Sequence, residues 1–356
     1  MSSSFPIMKM STRILLKQYS RPATFAARPF LAQCQTRKSS HSPMGSQSSR
    51  KKVTMTTLRS MYKKGEPIAV MTAHDFPSGH VADLAGMDIV LVGDSLAMVA
   101  LGMEDTSEVV MEEMLMHSRS VSRAAKAAFT VCTFLYSINS CTASFTNEPN
   151  YQVGDLPMGS YEISPEQALE SAFRFVKEGR MQGIKLEGGA EMAPTIKKIT
   201  AAGIPVLGHI GLTPQRQNSL GGFRVQGKTC AGALKVLEDA LAVQEAGAFG
   251  MVVEAVPQEV AKLITEKLSI PTIGIGAGNG CSGQVLVQVD MTGNFPPGRF
   301  LPKFVKKYGD VWSESLKAIT EYREETKSRA YPAPEHTYPI PEKELEEFRS
   351  AISKMD

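Results

Sequence analysis

Long apolar runs, paired cysteines, aromatic residues and, over the first 65 positions, acidic side chains are all scarce in this sequence. No stretch approaches the roughly 18–20 uncharged apolar residues needed to span a bilayer, so no membrane-crossing helix is predicted. The five cysteines, Cys34, Cys132, Cys141, Cys230 and Cys281, are odd in number, widely spaced and without a C-x-x-C pair. That argues against a disulfide framework or a zinc cluster. One tryptophan and 7% aromatic residues offer little for stacking on bases, which speaks against a nucleic-acid platform. What is left is a chain of 356 residues, 42% hydrophobic, enough for one large domain or two ordinary ones.

Charge divides the chain. Residues 1–65 hold thirteen Lys or Arg and no acid, Glu66 being the first, while the remainder holds 26 bases against 36 acids. The leader is rich in Arg and Ser, with Arg13, Lys17, Arg21 and Arg28 spaced among Ile14, Leu15, Leu16, Phe25 and Phe30. It reads as an amphipathic mitochondrial transit peptide over residues 1–50, and so predicts a matrix protein. A disordered basic tail or one that binds nucleic acid is the plainer alternative. Cleavage between Ser39 and Ser49 would leave about 300 residues, the size of one barrel.

From residue 55 short β-branched runs alternate with amphipathic segments. Ile68–Thr72, Asp88–Val92, Gly183–Glu187, Pro205–His209, Gly250–Glu254 and Pro271–Ile275 are continuous apolar stretches of the kind buried on both faces of a parallel sheet. Between them Ser164 to Glu178 predicts a helix, with Ser164 as cap and Pro165 in the first turn. The repeat favours an α/β fold, a single-domain (β/α)8 TIM barrel spanning 55–330, over a doubly wound sheet.

In such a barrel, chemistry gathers where the strands end. Asp94 and Ser95 follow Leu91-Val92-Gly93; Asp155 follows Val153-Gly154; Lys185 and Glu187 close one strand, His209 another and Glu254 a third. Each has a plainer reading: Asp94 and Asp155 as helix caps, Lys185 as an interior salt bridge, His209 as a core imidazole. Their convergence on one rim is what points to a site. Three carboxylates without His or Cys suit Mg²⁺ and not zinc. Mg²⁺ leaves positions for the keto and carboxylate oxygens of a 2-oxo acid, which makes an enolate accessible. Lys185 and Ser95 could hold the substrate carboxylate, and Glu254, off the metal, is the best candidate for the base.

These residues sit in ordered motifs: Thr72-Ala73-His74-Asp75, Leu91-Val92-Gly93-Asp94-Ser95-Leu96, Gly154-Asp155-Leu156-Pro157-Met158, Lys185-Leu186-Glu187-Gly188-Gly189, Gly208-His209-Ile210-Gly211-Leu212-Thr213-Pro214-Gln215, Gly222-Phe223-Arg224-Val225-Gln226-Gly227, Val253-Glu254-Ala255-Val256-Pro257 and Ile273-Gly274-Ile275-Gly276-Ala277-Gly278. From about Thr57 to His336 the chain closely resembles the ketopantoate hydroxymethyltransferase family. The resemblance implies a (β/α)8 barrel that transfers a one-carbon unit from 5,10-methylenetetrahydrofolate to 3-methyl-2-oxobutanoate, giving 2-dehydropantoate for pantothenate synthesis. It also implies Asp94, Asp155 and Glu187 as magnesium acids and Glu254 as proton acceptor. Asp94, Ser95, Asp155, Lys185 and His209 are then the substrate-binding set, and large homo-oligomers are expected. The alternatives are a magnesium-dependent oxo-acid lyase or mutase of the isocitrate lyase and phosphoenolpyruvate mutase type, or an inactive product. The lyases and mutases would lack the H-x-G-L-T-P-Q and G-x-x-V-Q-G segments.

Two motifs are decoys. Gly278-Asn279-Gly280-Cys281-Ser282-Gly283 fits G-x-G-x-x-G, but no clear helix starts there and no acid lies about 20 residues on, so it reads as a barrel loop. Lys185 also suggests a Schiff-base aldolase, which neighbouring acids oppose by raising its pKa. His74 and His80 read as packing or capping residues; Met103, Met111, Met114 and Met116 read as a helix-packing face. The tail from Tyr331 is Pro-rich and then predicts a charged helix over Glu342 to Lys354. One departure from the family is large: 22 extra residues, Cys132 to Val153, separate Ala127-Ala128-Phe129-Thr130-Val131 from Gly154-Asp155. Its edges fit a retained intron, a hypothesis that cDNA reads across the junction decide. If the segment is translated, Tyr151-Gln152-Val153 would rebuild the third strand with side chains on their proper faces.

Overall fold

The structure, a computed structural model, describes residues 52–124 and 151–355. The leader and most of the 132–153 segment lie outside the described residues.

Eight parallel strands close on themselves in sequence order: β1 (Ile68–Thr72), β2 (Ile89–Val92), β3 (Tyr151–Asp155), β4 (Gly183–Glu187), β5 (Val206–Gly211), β6 (Gly250–Glu254), β7 (Thr272–Ile275) and β8 (Gly283–Leu286). β8 pairs back onto β1 through Ile68 opposite Gly283. Six strands fall within a residue or two of the positions expected from sequence. β8 was not anticipated: it has only four residues and follows the glycine-rich loop, so it carries no apolar run. The third strand starts at Tyr151 and pairs with β2 through Ile89 opposite Tyr151, as the rebuilt-strand reading requires.

Pleating sorts the side chains into two cores. Inside the barrel Ile68, Val70, Ile89, Leu91, Val153, Leu207, Val252 and Val285 pack together, and Leu58 and Met61 of the helix Met55–Lys64 join them. Alternate residues, among them Val90, Ile184, Leu186, Val206, Met251 and Val253, face the surrounding helices. The helix Pro165–Lys177 is typical: the Ser164 hydroxyl accepts from the Gln167 N–H at 3.1 Å, Pro165 opens the first turn, and Ala168, Ala172 and Phe175 are buried.

Gly154, in β3, faces this helix, and a Cβ there would overlap the Phe175 ring and crowd Met181. Gly154→Ala is therefore expected to cost about 1–3 kcal/mol through overpacking, read as a lower Tm in thermal unfolding.

His74 precedes the helix Phe76–Leu84 and His80 lies within it. Asp75 caps Phe76–Leu84, and the His80 ring stacks on Phe76 at 5.8 Å. Met114 is buried and Met103 and Met111 pack against the outer core, whereas Met116 points to solvent, a correction to the four-methionine face. The tail helix forms over Glu342–Ile352. Before it, the helix Val311–Ser328 buries none of its side chains and exposes Leu316, Ile319 and Tyr322.

Candidate active site

In β3, β5 and β6 the inward-facing positions are apolar at the start of the strand and polar at its end. Leu207 and His209 share the interior side of β5, Val153 and Asp155 that of β3, Val252 and Glu254 that of β6. Lys185 and Glu187 do the same in β4, with Ile184 and Leu186 turned outward. Asp94 and Ser95 stand just past β2. Strand register then places neighbours side by side: Asp155 opposite Lys185, Glu187 opposite His209, Gly211 opposite Glu254. All seven residues named from sequence, Asp94, Ser95, Asp155, Lys185, Glu187, His209 and Glu254, line one cavity of about 1180 Å³.

The Lys185 ammonium donates to Asp155 Oδ2 at 2.5 Å and lies 3.8 Å from Glu187 Oε1. His209 stands between two acids, its Nδ1 3.2 Å from Glu187 Oε1 and its Nε2 3.2 Å from Glu254 Oε2. These are ion-pair distances without hydrogen-bond alignment, since both ring nitrogens lack a hydrogen-bond partner. The Asp94 N–H donates to Asp155 Oδ2 at 3.3 Å. Glu254 keeps 15% of its side chain accessible, against 1% for Asp155 and Glu187, so it is the more open to the cavity. Gly211 makes room for it: its φ is 86° and a Cβ would collide with the Glu254 carbonyl.

Burial sets the proton affinities. It pushes Asp155 up to about 7, Lys185 opposing and Asp94 reinforcing the rise. Burial likewise raises Asp94, again against Lys185. For Lys185 burial acts downward, but Asp155, Asp94 and Glu187 outweigh it and hold the ammonium above the ordinary lysine value. An amine held protonated is a poor Schiff-base nucleophile at neutral pH. Burial would also lower His209, yet Glu187 and Glu254 lift it to about 9, so the imidazolium is favoured.

Among the described residues no three His, Cys, Asp or Glu side chains are gathered as a ready-made metal cluster. Asp94, Asp155 and Glu187 share the cavity, but Lys185 stands between the last two, and the Gln215 amide donates to Asp94 Oδ2 at 2.8 Å. The site nonetheless suits a hard divalent cation. Four acids, Asp94, Asp155, Glu187 and Glu254, face two basic groups, Lys185 and His209, so acidic side chains outnumber basic ones by two. Asp155 Oδ1 and Glu187 Oε1 are buried without a hydrogen-bond partner. Buried carboxylate oxygens without hydrogen bonds, among acids that outnumber the bases, are what an oxygen-seeking cation needs.

Sequence reasoning gave no role to Gln215 or Tyr161. The Tyr161 hydroxyl donates to Gln215 Oε1 at 2.7 Å, and both side chains are buried. Gln215 ends the H-x-G-L-T-P-Q segment, a signal within reach; Tyr161 lies in a loop with no pattern to mark it.

Comparisons with known proteins identify the family. The profile of the family described as Ketopantoate hydroxymethyltransferase matches residues 52–147 and 139–334, the two stretches ending and beginning inside the 132–153 segment. The chain is 68% identical over 324 residues to the 3-methyl-2-oxobutanoate hydroxymethyltransferase of Emericella nidulans, covering 90% of this chain and 86% of that one. It is 46% identical over 310 residues to the 3-methyl-2-oxobutanoate hydroxymethyltransferase 1, mitochondrial, of Oryza sativa, covering 86% and 79%. Among solved structures, a phosphonopyruvate hydrolase is 11% identical with a TM-score of 0.49, covering 85% of this chain and 96% of its own. A profile and relatives that match most of the barrel and carry one activity in their names establish the lineage: this chain belongs to the ketopantoate hydroxymethyltransferase family.

Proposed function

We propose that this chain transfers a hydroxymethyl group from 5,10-methylenetetrahydrofolate to 3-methyl-2-oxobutanoate, giving 2-dehydropantoate in pantothenate synthesis. One observation carries the reading: a buried cluster in which four acids outnumber two basic groups, at whose open side stands one acid, Glu254, 3.2 Å from the His209 ring. Relatives named hydroxymethyltransferases across 90% of this chain favour the transferase over a lyase or mutase. An ordered β3 that sets Asp155 beside Lys185 favours an active form over one disabled by the extra segment.

Asp94, Asp155 and Glu187 are the acids that would hold Mg²⁺. When bound, the ion supplies an electron-withdrawing centre for the keto oxygen of the oxo acid. The rest falls to the protein. Lys185 and the Ser95 hydroxyl hold the substrate carboxylate against the surrounding acids. Glu254 takes the single hydrogen from the β-carbon, and His209 keeps its carboxylate aimed there. The resulting enolate carbon bonds to the folate-derived one-carbon unit and builds a quaternary centre. Overall the oxo acid, methylenetetrahydrofolate and one water give 2-dehydropantoate and tetrahydrofolate, so the new hydroxyl oxygen comes from water. The cavity of about 1180 Å³ exceeds the need of a five-carbon acid. Its outer part, lined by Phe223, Val225 and Phe300, offers apolar and aromatic surface for the pterin.

Protein supplied with both substrates is expected to form 2-dehydropantoate with Mg²⁺ and to stop after EDTA. Undiminished turnover under chelation would remove the metal assignment, and no product in either case would remove the transferase reading. We also take residues 1–50 as a mitochondrial leader, 55–330 as the catalytic barrel and 331–356 as a tail. Two rice relatives carry mitochondrial in their names, which supports the leader, and import of a reporter fused to residues 1–50 tests it. Exposed Leu316, Ile319 and Tyr322 support assembly with further copies of the chain, which sedimentation measures.

A further inference from the structure

Gln215 reaches two of the acids at once. Its Nε2 donates to Asp94 Oδ2 at 2.8 Å and to the Leu156 carbonyl at 2.9 Å, while its backbone N–H donates to Glu187 Oε2 at 3.1 Å. Its Oε1 accepts from the Tyr161 hydroxyl at 2.7 Å. Gln215 is 2% exposed and Tyr161 fully buried.

The amide can be oriented only one way. A carboxylate and a backbone carbonyl accept and never donate, so the NH₂ end must face Asp94 and Leu156, and the carbonyl end must face the hydroxyl. Burial, reinforced by Glu187, holds the Tyr161 phenol above its ordinary range, so it remains a donor. The backbone backs the arrangement, with Pro214 to Arg216 forming a single 3-10 turn that directs the Gln215 N–H at Glu187. Asp94, just past β2, and Glu187, at the end of β4, are thereby tied to one residue. Each keeps one carboxylate oxygen outside these bonds: Gln215 takes Asp94 Oδ2 and Glu187 Oε2, while Glu187 Oε1 has no hydrogen-bond partner.

We infer that Gln215 is a positioning residue that fixes the Asp94 and Glu187 carboxylates for a divalent cation, with Tyr161 fixing Gln215 from behind. The inference rests on the magnesium reading above and gives that site its outer shell. Hydrogen bonds to ligating carboxylates of this kind are commonly worth about 10–100-fold in metal affinity. The plainer role, pinning the loop after β5 to the barrel, would show in stability and not in the affinity of folded protein for the ion.

The test is Mg²⁺ binding by titration calorimetry to full-length protein without substrates, beside its Tm, for wild type, Gln215→Ala and Tyr161→Phe. Tyr161→Phe removes one hydroxyl from a packed ring and serves if Gln215→Ala does not fold. Weaker binding by roughly 10-fold or more in the folded variants is expected. Competition by Mn²⁺, followed by its paramagnetic resonance signal, is expected to weaken in parallel. Wild-type affinity in both variants, with only Tm lowered, would overturn the inference while leaving the magnesium site standing. A wild type that binds no Mg²⁺ would overturn both.

Discussion

Glu254→Gln is expected to lower kcat for hydroxymethyl transfer by about 10²- to 10⁴-fold, the usual worth of a positioned general base. The substitution keeps shape and volume and removes the carboxylate, which is both the proton acceptor and one of the two acids facing His209, Glu187 being the other. Glu254 is partly open to the cavity and touches His209 at 3.2 Å, so the variant leaves no charge stranded in the core. Tm is therefore expected to stay close to that of wild type. Because the lost interaction operates in the transition state, kcat and kcat/KM for the oxo acid should fall together. A fall confined to KM would make Glu254 a binding residue and leave the base unidentified.

Lys185→Met carries the largest expected effect on stability. The Lys185 ammonium is the counter-charge of Asp155 at 2.5 Å, and it also acts on Glu187 and Asp94, all buried. Methionine keeps much of the stem and removes the charge. Breaking a buried pair by removing one partner costs about 3–5 kcal/mol, chiefly because the other charge is left unpaired. Thermal unfolding should show Tm lower by on the order of 10 °C.

The pH dependence separates this cause from lost packing. Burial already places the folded Asp155 value at about 7, above its ordinary 3.8. A carboxyl raised in the folded state favours folding at low pH, and that advantage is lost as pH rises from the unfolded toward the folded value. In metal-free protein the window is thus about 3.8 to 7. Without Lys185 the folded value moves higher still. The part of the variant's deficit that comes from Asp155 should therefore be small below about pH 7, where that carboxyl is protonated in both folded proteins, and grow as pH rises above it. A deficit that does not change with pH would assign the loss to packing.

The barrel was legible because strands buried on both faces need unbroken β-branched stretches, and Ile89–Val92 and Gly250–Glu254 show them plainly. β8 was hidden for the opposite reason. Gly283-Gln284-Val285-Leu286 opens with a glycine that passes so close to Ile68 that no side chain fits. The acids were legible because period-two alternation puts Lys185 with Glu187 and Leu207 with His209 on one side. Their mutual arrangement was not. Whether Lys185 lies beside or between the acids depends on side-chain torsions, and the Gln215 bond to Asp94 is backed by a tyrosine from another loop; no local pattern reports either. The exposure of Met116 was within reach of helical spacing, since two residues past the buried Met114 it falls on another face.

Incubation in D₂O with Mg²⁺ and 3-methyl-2-oxobutanoate, without folate, isolates the step on which the whole account depends. Wild type is expected to exchange the single β-hydrogen of the oxo acid for deuterium, seen as loss of its proton resonance, while Glu254→Gln leaves it in place at the uncatalysed rate. Exchange at the wild-type rate in Glu254→Gln, or none in wild type that is active with folate, would contradict it.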